Sequence, residues 1–322
     1  MNDQGYPTHM SDRQVRQDQS REYVRTLTAE EINEELERQR IERMGPKATR
    51  MPDTQYFAAA GVSQSMLKVA IGSDKGDCSA MRLREYEARY ITHTLTADEP
   101  TRSMELGTAI HGTILEGKSL DDCLRVYPPS CLKSNGHVNP TPAREWEATL
   151  PPGCTPCKMD ELHAACRAVD RIRHRIGKLL ESPQARFEVA AFWESTLPCK
   201  AKFDIVLEHD NGVLIIDLKT TADASPVGFW NAIKQQRYWV QEAAYREGAK
   251  AVFNCDAQFA FLAVEKDPGS LFQVAEYRLL PHVASQAEAA RWRYMARLAE
   301  AYETGDWSDG WERECNYVDL PG

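Results

Sequence analysis

No apolar run in this 322-residue chain approaches the roughly 20 residues a membrane-spanning helix needs. No apolar stretch follows Met1 either, so no signal peptide is expected and the chain reads as soluble and cytoplasmic, with no membrane partner. Positive charge is not in excess: 39 Lys and Arg stand against 48 Asp and Glu, a net charge of −9. That argues against a passive nucleic-acid coat, which is usually basic, but leaves room for an enzyme with a local basic groove. No internal repeat is visible. The 9 cysteines are expected to stay thiols in a reducing compartment. Cys154-Thr155-Pro156-Cys157 with Cys166, completed by Cys131 or His163, offers a zinc knuckle; free thiols are the plainer reading.

What is present is enough apolar material, 42% of residues, to bury the core of one large domain or two small ones. Residues 1–54 are polar and charge-rich and read as a flexible arm. Within it Thr28-Ala29-Glu30-Glu31 has the form of a capping box opening one helix through Met44. Residues 55–305 carry the periodic patterns of a domain, and 306–322 form a C-terminal tail. From Tyr56 to about Leu120 the pattern is mostly helical, with Ser63 placed to cap a helix through Leu67. Residues 127–157, rich in Pro, Gly and Cys, read as an irregular insertion. A helix follows over 160–180, then strands over 185–193, 199–207 and 213–217. A crossover helix over 226–247, strands over 257–264 and 271–278, and a helix over 281–304 complete the pattern. This order predicts an α/β fold with a central mixed sheet flanked by helices.

Two strands carry the chemistry. The stretch Lys200 to Thr221 reads as two adjacent strands joined by an Asn211-Gly212 turn. The second strand runs Val213-Leu214-Ile215-Ile216 and then ends in Asp217-Leu218-Lys219. Buried charges without partners are costly, so Asp204, Asp217 and a lysine two residues on make sense around a divalent cation. Residues i and i+2 of a strand share a face, which puts Lys219 beside Asp217. Two helical segments accompany them. Glu105 to Glu116 carries Ile110, Ile114 and Leu115 at helical spacing, with His111 beside that face. Tyr238, Gln241 and Tyr245 fall at i, i+3 and i+7 of another helix.

Read in order, Gly107-Thr108-Ala109-Ile110-His111…Leu115-Glu116, Phe203-Asp204…Asp217-Leu218-Lys219-Thr220-Thr221 and Tyr238…Gln241…Tyr245 resemble the phage exonuclease VIII (RecE-like) branch of the PD-(D/E)xK nuclease superfamily. Gly61-Val62-Ser63-Gln64-Ser65 is similar to that branch's opening segment, and Phe203 stands where the superfamily name has proline. The resemblance implies a restriction-endonuclease-like core. It also implies a Mg²⁺-dependent 5′→3′ exonuclease on linear double-stranded DNA, with Mn²⁺ as a substitute. Such an enzyme releases 5′-mononucleotides and leaves 3′ tails for strand annealing. The family pattern further implies a homo-oligomeric ring, a single-strand annealing protein as partner, and a phage or prophage gene acting in the bacterial cytoplasm. Some superfamily relatives hold an iron–sulfur cluster on an upstream Cys and a C-terminal trio; only Cys255 and Cys315 lie in the C-terminal part here, which argues against that cluster.

Carried onto this sequence, Asp204 and Asp217 are expected as metal ligands, joined by the Leu218 carbonyl. His111 is a further ligand or a group orienting a ligand or the phosphate. Lys219 would hold the attacking water, with Gln241 bonded to the lysine, the water or a phosphate. Glu116 is an outer-shell or second-metal group, or an exposed helix carboxylate. Tyr245, Tyr238, Thr220, Lys202 and Arg237 are candidates for DNA contact, with Lys200 and Lys234 in the same basic groove; Tyr245 could instead support Gln241. Glu188 and Glu194 are alternative acidic groups or structural ones. A structure-specific or single-strand nuclease on the same fold, and a non-catalytic protein that binds DNA or a recombinase, remain the competing readings.

Overall fold

The structure is a computed structural model that describes residues 47–70, 79–90, 94–96 and 100–308. The arm helix expected up to Met44, and most of the tail with Cys315, lie outside the described residues. In chain order the elements are β1 (Lys47–Arg50), α1 (Asp53–Ala58), α2 (Gln64–Ala70), α3 (Ala80–Tyr90), α4 (Arg102–Leu115) and α5 (Leu120–Cys123). Then come β2 (Leu124–Val126), a 3₁₀ turn (Pro129–Cys131), α6 (Pro140–Glu147), β3 (Thr155–Cys157) and α7 (Met159–Leu180). The second half runs β4 (Ala185–Glu194), β5 (Pro198–His209), β6 (Gly212–Thr221), α8 (Pro226–Gln235), α9 (Tyr238–Phe253), β7 (Ala257–Glu265), β8 (Val274–Tyr277) and α10 (Pro281–Thr304).

Six strands form one mixed sheet in the order β1-β4-β5-β6-β7-β8. Neighbours are antiparallel except β6 and β7, which are parallel. Parallel neighbours need a crossover, and α8 with α9 supplies it. Apolar residues fill both faces. Val213 and Ile215 of β6 join a cluster with α2, α3, α8, α9 and α10. Ile216 and Leu218 of the same strand join a cluster with α4 and α7 on the other face. β6 is thus buried on both sides, as its unbroken aliphatic run predicted. Among the described residues no helix is long and apolar enough to cross a membrane.

Several sequence boundaries move. Lys47–Arg50, assigned to the arm, is an edge strand paired with β4; four polar-rich residues on an edge leave too little alternation to read. The insertion at 127–157 is partly regular, since α6 lies within it and β3, at its end, pairs with β2 as a two-stranded parallel sheet. The crossover is two helices, because Arg237 sits in the left-handed region at φ 51° and breaks the path between α8 and α9. The tail begins later than 306, since Trp307 packs edge-on against Tyr302, with ring centroids 4.9 Å apart. The hairpin loop is Asp210-Asn211 rather than Asn211-Gly212, because Gly212 already pairs with His209. Gly212 holds φ 140°, and a Cβ there would lie 2.3 Å from the Asp256 carbonyl oxygen. Only glycine lets the strand start so close to β7.

Candidate active site

The site forms where the sheet departs from regularity. The β5–β6 ladder runs from His209↔Gly212 to Ile205↔Ile216 and stops there. One residue further, the Asp204 carboxylate accepts the Leu218 N–H at 2.8 Å, so a side chain takes the donor the ladder leaves. The β4–β5 register also skips a pair: Phe187 faces Ile205 and Val189 faces Phe203, with Glu188 and Asp204 between them unpaired. Glu188 has φ 54°, a conformation that non-glycine residues seldom adopt. Both strands change face there. Val189 and Phe203 lie in the α9-side cluster, whereas Phe187 and Ile205 lie against the α4–α7 side. The irregularity brings a carboxylate to the sheet surface without stripping the apolar residues around it.

Asp217, on the α9 side of β6, is 1% exposed. Its Oδ1 accepts the Gln241 Nε2 at 2.5 Å. Its Oδ2 forms an ion pair with Lys219 Nζ at 2.6 Å, with no other hydrogen-bond partner among the described residues. Burial raises the Asp204 carboxyl well above the usual carboxylate range, and the neighbouring Asp217 charge adds to the shift. Burial works against the Lys219 ammonium, but Asp217 and then Asp204 outweigh it and hold its pKa above the ordinary value. His111 Nδ1, from α4, lies 3.8 Å from Asp204 Oδ2. Burial, then the Lys219 charge, push the His111 imidazole down to about 4, leaving it neutral near pH 7. The approach of α4 rests on Gly107: a Cβ there would lie 2.8 Å from Thr220 Oγ1.

The structure brings together Asp204, Asp217, Lys219, Gln241 and His111. These groups, or their immediate neighbours, border a cleft of about 870 Å³ lined by residues including His111, Asp204, Leu218, Lys219 and Tyr238. Glu116 and Thr220 also line it, with Glu116 ion-paired to Lys118 at 2.9 Å and Thr220 Oγ1 accepting from Lys266 Nζ at 3.0 Å. Tyr238 packs its ring beneath two ammonium groups, Lys68 at 4.8 Å and Lys219 at 4.9 Å from the centroid. Tyr245 is buried, and its hydroxyl donates to the Lys202 carbonyl at 2.9 Å. That geometry makes it a prop for β5 at a point where it also lines the cleft. Arg237 donates to the Lys68 carbonyl at 3.2 Å. Lys234 lies outside the cleft lining, over the Trp230 ring at 5.7 Å.

Lys200 and Lys202 line the cleft, and each is already engaged by groups of the chain. Lys200 is 3% exposed and donates to the carbonyls of Tyr56, Phe57 and Ala59 at 3.0, 3.1 and 2.6 Å. It ties off the end of α1, whose last carbonyls have no helical partner, and is spent there. Lys202 is held between Asp53 and Glu188, so Glu188 is paired at the edge of the site. Glu194 ends β4, exposed and outside the cleft lining. The sequence reading missed Lys68, whose Nζ donates to Gln241 Oε1 at 3.2 Å. Burial, then the nearby Lys219 charge, lower Lys68 to about 7. It also missed Lys266, which bonds Thr220 and the Ser103 carbonyl at the cleft wall. A signal existed for Lys266: it directly follows β7, the parallel neighbour of the motif strand.

Among the described residues no three His, Cys, Asp or Glu side chains converge closely enough to hold a metal ion between them. Cys131, Cys154, Cys157 and Cys166 are free thiols. A Mg²⁺ site needs fewer protein groups, since it takes one or two carboxylates and keeps waters or phosphate oxygens. Asp204 and Asp217 fit that demand, being a half-buried and a buried carboxylate whose mutual repulsion a divalent cation would relieve.

Residues 63–320 match the family described as a PDDEXK-like domain of unknown function (DUF3799). A solved structure of a candidate exonuclease from Eubacterium rectale is similar at TM-score 0.51 and 16% identity, covering 80% of this chain and 88% of that one. A second solved structure, of the protein SSO0001, reaches TM-score 0.25 at 14% identity and covers 62% of this chain and 84% of that one. No curated protein matches the sequence.

Proposed function

The chain belongs to the PDDEXK-like domain family, and from that premise we propose that it is a nuclease, specifically a Mg²⁺-dependent exonuclease that digests linear double-stranded DNA from 5′ to 3′. One observation carries the reading. A buried carboxylate, Asp217, pairs with Lys219, and Lys219 and a half-buried carboxylate, Asp204, line an open cleft. A protein that only binds DNA has no use for this costly arrangement.

Asp204 and Asp217 would hold Mg²⁺, with the Leu218 carbonyl as a further donor; His111, whose imidazole is neutral, would orient a ligand or the phosphate from beside Asp204. When bound, the ion neutralises phosphate charge and lowers the pKa of water. The remaining work falls to the chain's own groups. Lys219 keeps its proton, so it can orient a water by hydrogen bond and offset charge growing on the phosphate. Gln241 holds the Asp217 carboxylate in place from behind. Lys266 and Thr220 stand on the cleft wall where a DNA phosphate would pass. Glu116 sits on the same lining as an outer group.

The motif likeness to exonuclease VIII supports the finer features: release of 5′-mononucleotides, 3′ single-stranded tails, a homo-oligomeric ring, a single-strand annealing partner, phage or prophage origin and action in the host cytoplasm. Linear duplex DNA labelled at its 5′ ends, incubated with Mg²⁺ or with EDTA beside a closed circle, tests the activity. Mg²⁺-dependent release of labelled mononucleotide from the linear DNA alone is the expected result. Cutting of the circle would make the enzyme an endonuclease, and binding without cutting would make it an interaction protein.

A further inference from the structure

We propose that Lys68 is a positioning residue: it locks the Gln241 amide so that only its NH₂ end can face Asp217. The kinetic part of this inference rests on the nuclease reading above. Gln241 is 2% exposed, so both ends of its amide need partners within the protein. The nitrogen donates to Asp217 Oδ1 at 2.5 Å, and the oxygen accepts from Lys68 Nζ at 3.2 Å. A carboxylate offers acceptors, and Lys68, as ammonium or as amine, offers a donor. A flipped amide would set oxygen against the Asp217 oxygens and lose that bond. The orientation therefore follows from chemistry at both ends.

Lys68 reaches this point from α2, 173 residues away in sequence. Its backbone is fixed as well, because Arg237, at the break before α9, donates to its carbonyl. The cleft wall on this side is built from Ser65, Met66 and Tyr238, with Lys68 behind it. Lys68 thus acts on the reaction through Gln241. Tyr238 completes the arrangement, since its ring takes both Lys68 and Lys219 within cation–π distance. Lys68, Gln241, Asp217 and Lys219 then form one continuous chain of contacts. Without Lys68 the buried Gln241 oxygen is orphaned, and Asp217 loses the fixed direction of one of its two supports.

The test uses the full chain. Lys68→Met keeps the length and packing of the side chain and removes the donor. Its kcat on linear duplex DNA is expected to fall about 10- to 100-fold, as for other groups that orient a metal ligand's surroundings. KM for DNA should stay near wild type, the melting temperature should fall only as far as one orphaned buried acceptor accounts for, and Lys68→Arg should recover most of the rate. In a Gln241→Ala background, Lys68→Met should add nothing. An unchanged kcat, a loss in KM instead, or effects of the two variants that multiply would each overturn the proposal. Should Lys68→Met fail to fold, Lys68→Gln, which keeps a donor, should retain most of the rate; a loss as large as that of Gln241→Ala would refute the role. A second readout needs no activity. The side-chain amide protons of Gln241, followed by ¹⁵N NMR, should exchange slowly in the wild type and quickly in Lys68→Met. Equal exchange in the two would sink the inference, and a wild type that cuts no DNA would sink the nuclease reading while leaving this measurement able to decide.

Discussion

The β5–β6 hairpin has two ends that obey different rules. At the turn end the strands are paired from Ile205↔Ile216 to His209↔Gly212, with Val213 and Ile215 fully buried. At the other end the ladder is gone, and a side chain, Asp204, takes a backbone donor in its place. The turn end gains from burying apolar surface and filling every backbone bond. The open end gives up that regularity and holds like charges close together, which costs stability. Stability and chemistry are thus separated along one pair of strands by a few residues.

Substitutions at the two ends should therefore fail differently. The largest effect is expected for Asp217→Ala, which should reduce cleavage to the level of the EDTA control while DNA binding, read by gel shift, persists; normal cutting would remove Asp217 from the site. Lys219→Ala should lower kcat by about 10²- to 10³-fold, the scale for losing one preorganised electrostatic donor, as single-turnover rates would show. His111→Ala should cost about 10- to 100-fold, and an unaffected rate would return it to a packing role. Ile215→Ala, at the turn end, should destabilise by about 2–5 kcal/mol in denaturant unfolding. Its rate per folded molecule should stay near wild type; a large loss of kcat there would break the separation of the two ends.

How much of this could be read from the sequence follows from the same contrast. The hairpin, the pairing of Asp217 with Lys219 and the final helix Pro281–Thr304 were legible because period 2 and period 3.6 persist through them. The meeting of His111 with Asp204 was legible only through the ordered motifs, since 93 positions separate them and no local pattern links a helix to a distant strand. The break at Arg237 was hidden because neither Gly nor Pro marks it, and tertiary contacts hold the left-handed residue. Lys200 does line the cleft, but sequence shows its charge and not the three carbonyls that hold its amine. Lys68 was invisible for a similar reason: its partner lies on another helix.

Lys200 also has a practical consequence. Its amine is lowered to about 8 by burial, which would make an exposed lysine a fast target for acylating reagents. Here the nitrogen is enclosed by the end of α1, so labelling must wait until that helix lifts from the sheet. The acetylation rate at this one position, four residues upstream of Asp204 in β5, followed by mass spectrometry, would therefore serve as a clock for the detachment of the chain's first described helix.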